Sequence, residues 1–117
     1  MPQTASKEEL RMYQPQMCTY IEPEPLTVPE VIDQYAREYG LSVPIMKRIA
    51  YCESFFIPNA ENNSSSATGL FQIIDGTWDY FGCQGERTNV EDNVVCAMKI
   101  ATEGGLHHWN ASASCWR

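Results

Sequence analysis

The feature that most constrains this chain is a single carboxylate in an apolar segment. Glu53 follows Met46, Ile49 and Ala50 at helical spacings, which place the four side chains on one face of a helix. Glu53 is therefore expected at the edge of the core, where partial burial raises the pKa of its carboxyl toward the range that a general acid needs. The alternative is a glutamate that only caps or pairs at a helix end.

Two contrasting segments follow this predicted helix. Residues 57–68, IPNAENNSSSAT, are rich in Asn and Ser and predict a loop that turns the chain. Residues 69–74, GLFQII, are largely apolar and can be read as a buried strand, in which Gln72 would be a satisfied buried amide. An acid beside a polar loop and an apolar segment suggests a groove.

Capping signals predict a mainly α-helical fold. Thr27, Ser42 and Asn89 each stand where an N-cap would begin a helix with apolar positions three and four residues apart. Gly40 and Gly104 are suited to end the first and the last of these helices. Residues 75–82 read as a further short helix bounded by glycines.

Length and composition predict one domain with a tail. A chain of 117 residues can build one hydrophobic core but is too short for two. Residues 1–26 mix charges with prolines without a sustained period, so we expect a tail or linker there and a folded domain over residues 27–117.

Charge and hydropathy exclude some function classes. A net charge of −7 argues against nucleic acid, whose binding depends largely on Lys and Arg. No apolar run reaches the roughly eighteen residues of a membrane-spanning helix, and the N-terminus lacks the apolar core of a signal peptide. His107 and His108 have no partners at metal-ligand spacing, so neither a metal nor a cofactor is expected.

Five cysteines in so short a chain suggest an oxidising compartment, extracellular or in the cell envelope. Sequence alone leaves many pairings open, including five reduced thiols. The preferred pairs are Cys52 with Cys115, which would tie the predicted acid to the C-terminus, and Cys83 with Cys96. Cys18 would then be the leftover thiol.

Several short motifs occur in a fixed order, namely Cys52-Glu53-Ser54, Pro58-Asn59-Ala60, residues 65–72 (SSATGLFQ) and Thr77-Trp78. This ordered series resembles the soluble lytic transglycosylase family, which is related to goose-type lysozyme. The resemblance extends roughly from Val28 to Trp116. It implies a lysozyme-like α-helical domain with a small irregular or β segment lining a cleft.

The resemblance also implies the site residues. Glu53 becomes the catalytic acid, and the loop of residues 57–68 lines a sugar-binding cleft. The implied substrate contacts are Ser54, Ser66, Phe71, Gln72, Asp75 and Lys99.

Lys99 is a departure from the family pattern. The segment through Asn93, Val94, Ala97 and Ile100 matches, but the family has a tyrosine where this chain has Lys99. A lysine there could pair with Glu53 and lower the pKa of its carboxyl, or point to water. We favour water, because lysine is rarely buried.

The number of suitable carboxylates bears on the reaction. A hydrolytic glycosidase usually needs two carboxylates, and only Glu53 has both an apolar setting and a family match. Glu61 and Asp75 are the nearest candidates for the second carboxylate, but their spacing in the sequence does not establish that role for either. The resemblance therefore favours a lytic transglycosylase, which closes a 1,6-anhydro ring without water.

The implied substrate is a peptidoglycan glycan strand, cleaved between N-acetylmuramic acid and N-acetylglucosamine by a monomer. Two alternatives stay open. The first is a lysozyme-type hydrolase on the same fold. The second is a non-catalytic glycan-binding module that kept the fold.

Overall fold

The computed structural model describes residues 23–117, and most of this part is helical, as the sequence predicts. The elements are α1 (Val28–Glu38), α2 (Val43–Ser54), α3 (Asp75–Tyr80), α4 (Val90–Glu103), a 3-10 helix (Leu106–Ser112) and α5 (Ala113–Trp116). Within residues 23–117 no helix combines the length and the apolar character needed to cross a bilayer. Cys18 and most of the predicted tail lie outside the described residues.

The predicted caps are confirmed. Thr27 and Glu30 form a reciprocal capping box at α1, in which the backbone N–H of Thr27 donates to Glu30 Oε1 at 2.8 Å. Ser42 Oγ accepts from the backbone N–H of Ile45 at the start of α2. Asn89 Oδ1 accepts from the backbone at the start of α4. Each cap satisfies a backbone donor that the helix itself leaves without a partner.

The core lies where α1 packs against both α2 and α4. Each of these helices contributes fully buried apolar side chains, among them Ile32, Ile49 and Ile100. Trp116, from the C-terminal end, is also buried in this core. Ile49 and Ala50 are buried on the α2 face that also carries Glu53, so the acid stands at the edge of the core as the helical spacing predicts.

The segment between α2 and α3 is irregular. Isolated antiparallel bridges join Thr68 to Glu61 and to Ile73, and no continuous strand forms over residues 69–74. The strand reading was therefore wrong. Gln72 has a φ of 51°, a left-handed conformation that breaks the extended geometry a strand requires.

Two disulfide bonds lie within the described residues, and both preferred pairings are confirmed. Cys52 bonds Cys115 across 63 residues of sequence, joining the end of α2 to α5. Cys83 bonds Cys96 across 13 residues, joining the segment after α3 to α4. The first bond brings the C-terminal segment against the helix that carries Glu53.

Candidate active site

Glu53 lies in the last turn of α2, and its side chain is half-buried. Its Oε2 accepts a hydrogen bond of 2.5 Å from the hydroxyl of Ser112, which ends the 3-10 helix. Burial raises the pKa of the Glu53 carboxyl, and the Ser112 bond opposes this rise. The net shift is upward, so this carboxyl holds its proton to higher pH than an ordinary glutamate does.

Trp109 connects this carboxyl to the Gln72 segment. The Ser112 hydroxyl lies 3.2 Å from the carbonyl oxygen of Trp109, which also accepts from Trp116 Nε1 at 3.1 Å. The indole Nε1 of Trp109 donates to the carbonyl of Phe71 at 2.9 Å. Polar contacts through Ser112 and Trp109 therefore link Glu53 to the residue that precedes Gln72.

A cleft opens beside Trp109. Trp109, Gln72 and Ile100 contribute to the lining of a cavity of about 160 Å³. A wider cavity of about 520 Å³ shares Ile74, Thr77 and His108 with it, and adds Tyr80, Glu103 and His107. The two cavities share these three lining residues and together outline a cleft from Gln72 to the exposed ring of Tyr80, and Glu53 is not among the lining residues of either cavity. A cleft of this kind suits an extended ligand.

Gln72 is held rigidly at one end of this cleft. Its amide nitrogen donates to the backbone carbonyl of Ala60 at 3.0 Å and to that of Gly69 at 2.9 Å. These two bonds stabilise a left-handed backbone conformation that costs a non-glycine residue free energy. The Gln72 side chain is half-buried and lines the cavity shared with Trp109.

Asn93 holds the same segment from beneath. This fully buried side chain accepts from the backbone N–H of Phe71 at 2.9 Å and donates to the carbonyls of Thr68 and Arg87. Gly69 packs directly on it, and a Cβ at Gly69 would collide with Asn93 and with the carbonyl of Arg87. Glycine at position 69 is thus required by both close approach and a positive φ of 90°.

The structure brings Ser66 and Asp75 together through Arg87. The Ser66 hydroxyl accepts from the backbone N–H of Asp75 at 2.9 Å. The Arg87 guanidinium forms an ion pair with Asp75 and donates to the carbonyls of Ser66 and Ile73. Ser66 and Asp75 are therefore neighbouring exposed residues that Arg87 holds in place.

Ser54, Phe71 and Lys99 occupy different surroundings. Ser54 is buried and donates to the carbonyl of Ala50, and Phe71 is fully buried against the Trp109 ring. Lys99 contributes to another cavity, of about 280 Å³, together with Tyr39 and Gly82. Within residues 23–117 it forms no ion pair with Glu53, and the hydrogen-bond donor to that carboxyl is Ser112.

Sequence reasoning missed the roles of Ser112, Asn93 and Arg87. Ser112 is 59 residues away from Glu53 in sequence, but the preferred Cys52–Cys115 pairing carried a usable signal. That pairing places Cys115, three residues after Ser112, beside Cys52, which directly precedes Glu53. Among the described residues no group of three or more His, Cys, Asp and Glu side chains is placed to hold a metal ion.

Comparison with known proteins identifies the family of this chain. Residues 30–104 match the family model described as "Transglycosylase SLT domain". Searches of curated proteins and of solved structures return no significant match. The matched region runs from α1 to the end of α4 and contains Glu53, Gln72 and Asn93, whereas Ser112 lies beyond it. The match covers more than half of the sequence, and the chain belongs to the transglycosylase SLT domain family.

Proposed function

We propose that this chain is a peptidoglycan lytic transglycosylase. It cleaves the β-1,4 bond between N-acetylmuramic acid and N-acetylglucosamine and leaves a 1,6-anhydromuramic acid end. Membership of the SLT domain family implies a glycosidic-bond-cleaving enzyme of the lysozyme-like type that acts on peptidoglycan. The observation that carries the finer proposal is the half-buried carboxyl of Glu53, whose pKa burial raises.

The surroundings of the other carboxylates favour a route with one acid/base. Hydrolytic glycosidases generally use a second carboxylate across the scissile bond. Of the two candidates, Asp75 is paired with Arg87, and Glu61 is exposed and takes part in the bridge to Thr68. Neither candidate contributes to the shift of the Glu53 pKa. This supports a reaction in which Glu53 acts first as acid and then as base.

The two proton transfers balance without water. Protonated Glu53 gives its proton to the glycosidic oxygen as the bond from that oxygen to C1 of the muramoyl residue breaks. The glutamate is then a carboxylate and takes the proton of the muramoyl 6-hydroxyl, whose oxygen bonds C1 and closes the anhydro ring. Glu53 ends protonated and ready for the next cycle.

The proposed substrate contacts divide into two groups. Gln72 lines the cavity beside Trp109, and Ser66 and Asp75 are exposed, so we assign these three residues to direct contact with a glycan. Ser54 and Phe71 are buried, so we assign them to shaping the floor beneath the sugar. The proposed contact of Lys99 is with a part of the strand that extends to the Tyr39 side of the domain.

The proposed setting is a cell wall outside the cytoplasm. SLT domains act on the cell wall, and the two disulfides fit an oxidising compartment. We propose that residues 27–117 form the acting domain and that it works as a monomer, extracellularly or in the cell envelope.

Digestion of purified peptidoglycan in ¹⁸O-labelled water tests this function. A transglycosylase gives anhydro products that are lighter by one water than hydrolysis products and contain no label. Labelled reducing ends would instead identify a lysozyme-type hydrolase, a reading that stays open on this fold. Binding to the glycan without any cleavage by wild type would identify a binding module and overturn the proposal.

A further inference from the structure

We propose that Ser112 is the positioning residue of Glu53, whose hydroxyl partners the carboxyl in both of its protonation states. This inference rests on the proposed function, because an acid that becomes a base needs a partner for each state. The hydroxyl of Ser112 lies 2.5 Å from Glu53 Oε2 and 3.2 Å from the carbonyl oxygen of Trp109. Both contacts are part-buried.

A serine hydroxyl has one hydrogen and can also accept, so it can serve these two neighbours in turn. When Glu53 is ionised, the Ser112 hydroxyl donates to the carboxylate, and this charge-assisted bond is the stronger of the two. When Glu53 is protonated and no substrate is bound, the carboxyl O–H donates to Ser112 Oγ, and the serine hydrogen turns to the Trp109 carbonyl. Every donor then has an acceptor in either state.

The surroundings allow this exchange without disturbing the fold. The carbonyl of Trp109 also accepts from Trp116 Nε1 at 3.1 Å, so it keeps a partner whichever way the serine hydrogen points. Leaving a buried acceptor without a partner would cost free energy, and here that cost is avoided. The hydroxyl can therefore follow the proton on Glu53.

Few other groups act on Glu53. Helix α2 packs against α1, the 3-10 helix and α5. The charged or titratable side chains on α2 and on these elements, or directly after them, do not contribute to the shift of the Glu53 pKa, and they are Glu30, Asp33, Tyr35, Arg37, Glu38, Tyr39, Lys47, Arg48, Tyr51, His107, His108 and Arg117. Burial and the Ser112 bond are the causes that act. Removing the hydroxyl should therefore change the titration of Glu53 directly.

The test compares Ser112→Ala and Ser112→Thr with wild type and with Ser114→Ala. Ser114 is exposed on α5 and makes no side-chain hydrogen bond within the described residues, so it is the matched control. The pKa of the Glu53 carboxyl is read by NMR titration of its side-chain carbon. Turnover of peptidoglycan is measured across pH, and thermal unfolding reports the fold.

We expect Ser112→Ala to raise the pKa of Glu53, because the bond it removes favours the ionised form. The alkaline limit of turnover should move to higher pH with it, and turnover at the optimum should fall about tenfold. Ser112→Thr should restore both, and Ser114→Ala should match wild type. The unfolding temperature should stay within a few degrees of wild type for each variant.

An unchanged titration of Glu53 in Ser112→Ala would overturn the inference, as would lost turnover with an unmoved pH profile. Failure of the proposed function looks different. In that case wild type releases no anhydro product, while the NMR titration still reports whether Ser112 partners the carboxyl.

Discussion

Cys52 and Cys115 form a disulfide that joins the two segments on which the Glu53 carboxyl contact depends. Cys52 directly precedes Glu53, and Cys115 follows Ser112 by three residues. A second link reinforces this junction, since Arg48 Nε donates to the carbonyl of Trp116 at 2.9 Å. The disulfide therefore maintains the position of the C-terminal segment against the end of α2.

Replacing both Cys52 and Cys115 by serine should lower the free energy of unfolding by about 2–5 kcal/mol. The bond spans 63 residues, so its loss returns considerable entropy to the unfolded chain. The matched control replaces Cys83 and Cys96, whose bond spans 13 residues, and should cost about 1 kcal/mol less. Urea unfolding measures both. A larger loss for the shorter span would contradict the loop-entropy account.

Glu53→Gln should reduce turnover at least about a hundredfold, because the amide can neither give nor take the proton. The side chains are nearly isosteric, so circular dichroism should be unchanged. Release of anhydro product from peptidoglycan measures the effect. Glu38→Gln, at an exposed site on α1, removes the same charge and should leave turnover at the wild-type level. Full activity of Glu53→Gln would rule out Glu53 as the acid.

Glu53→Gln should also change the free energy of unfolding, by an amount that depends on pH. Burial raises the folded-state pKa of Glu53 above its ordinary value of 4.5, so between these two values the folded chain binds more protons than the unfolded chain. The free energy of unfolding therefore falls as pH rises through that window. Below this pH window Glu53 is protonated in both the folded and the unfolded chain, so burial of its carboxyl no longer lowers the free energy of unfolding.

Glu53→Gln should thus match wild type in urea unfolding at about pH 4 and be the more stable protein at about pH 8. Glu38→Gln controls for the change in net charge. If Glu53→Gln were less stable than wild type at both values, burial would not be the dominant cause acting on this carboxyl.

Asn93→Ala should destabilise the fold by about 2–4 kcal/mol, because it leaves the buried N–H of Phe71 and the part-buried carbonyl of Arg87 without this partner and removes a hydrogen bond to the carbonyl of Thr68. Asn110→Ala, at an exposed position, should change stability by less than about 0.5 kcal/mol. Thermal unfolding compares the two. The KM for peptidoglycan should also rise in Asn93→Ala, since the loosened segment carries Gln72. Equal stability of the two variants would show that Asn93 is not needed to hold this segment.

The helices could be predicted because their signals are local. Thr27, Ser42 and Asn89 cap donors only three residues away, so sequence spacing alone defines each start. Glu53 could be placed at the core edge for the same reason, since helical periodicity relates it to Ile49 and Ala50.

The site itself depends on distant residues. Gln72, whose backbone is left-handed, also donates to the carbonyl of Ala60, and this contact across 12 residues is one that no local pattern encodes. The contact between Ser112 and Glu53 crosses 59 residues. For this reason the apolar run of residues 69–74 looked like a strand, and the contact between Ser112 and the acid was not predicted.

The two bonds of the Gln72 amide nitrogen have one more consequence. That nitrogen carries two hydrogens, and the carbonyls of Ala60 and Gly69 take both, so the side chain has only its oxygen left to offer. The Gln72 side chain therefore favours ligand groups that can donate a hydrogen bond. A hydroxyl or an amide N–H can donate a hydrogen bond to this oxygen. An ether or a carboxylate oxygen has no hydrogen to donate, so it loses hydrogen bonds to water without gaining one from Gln72.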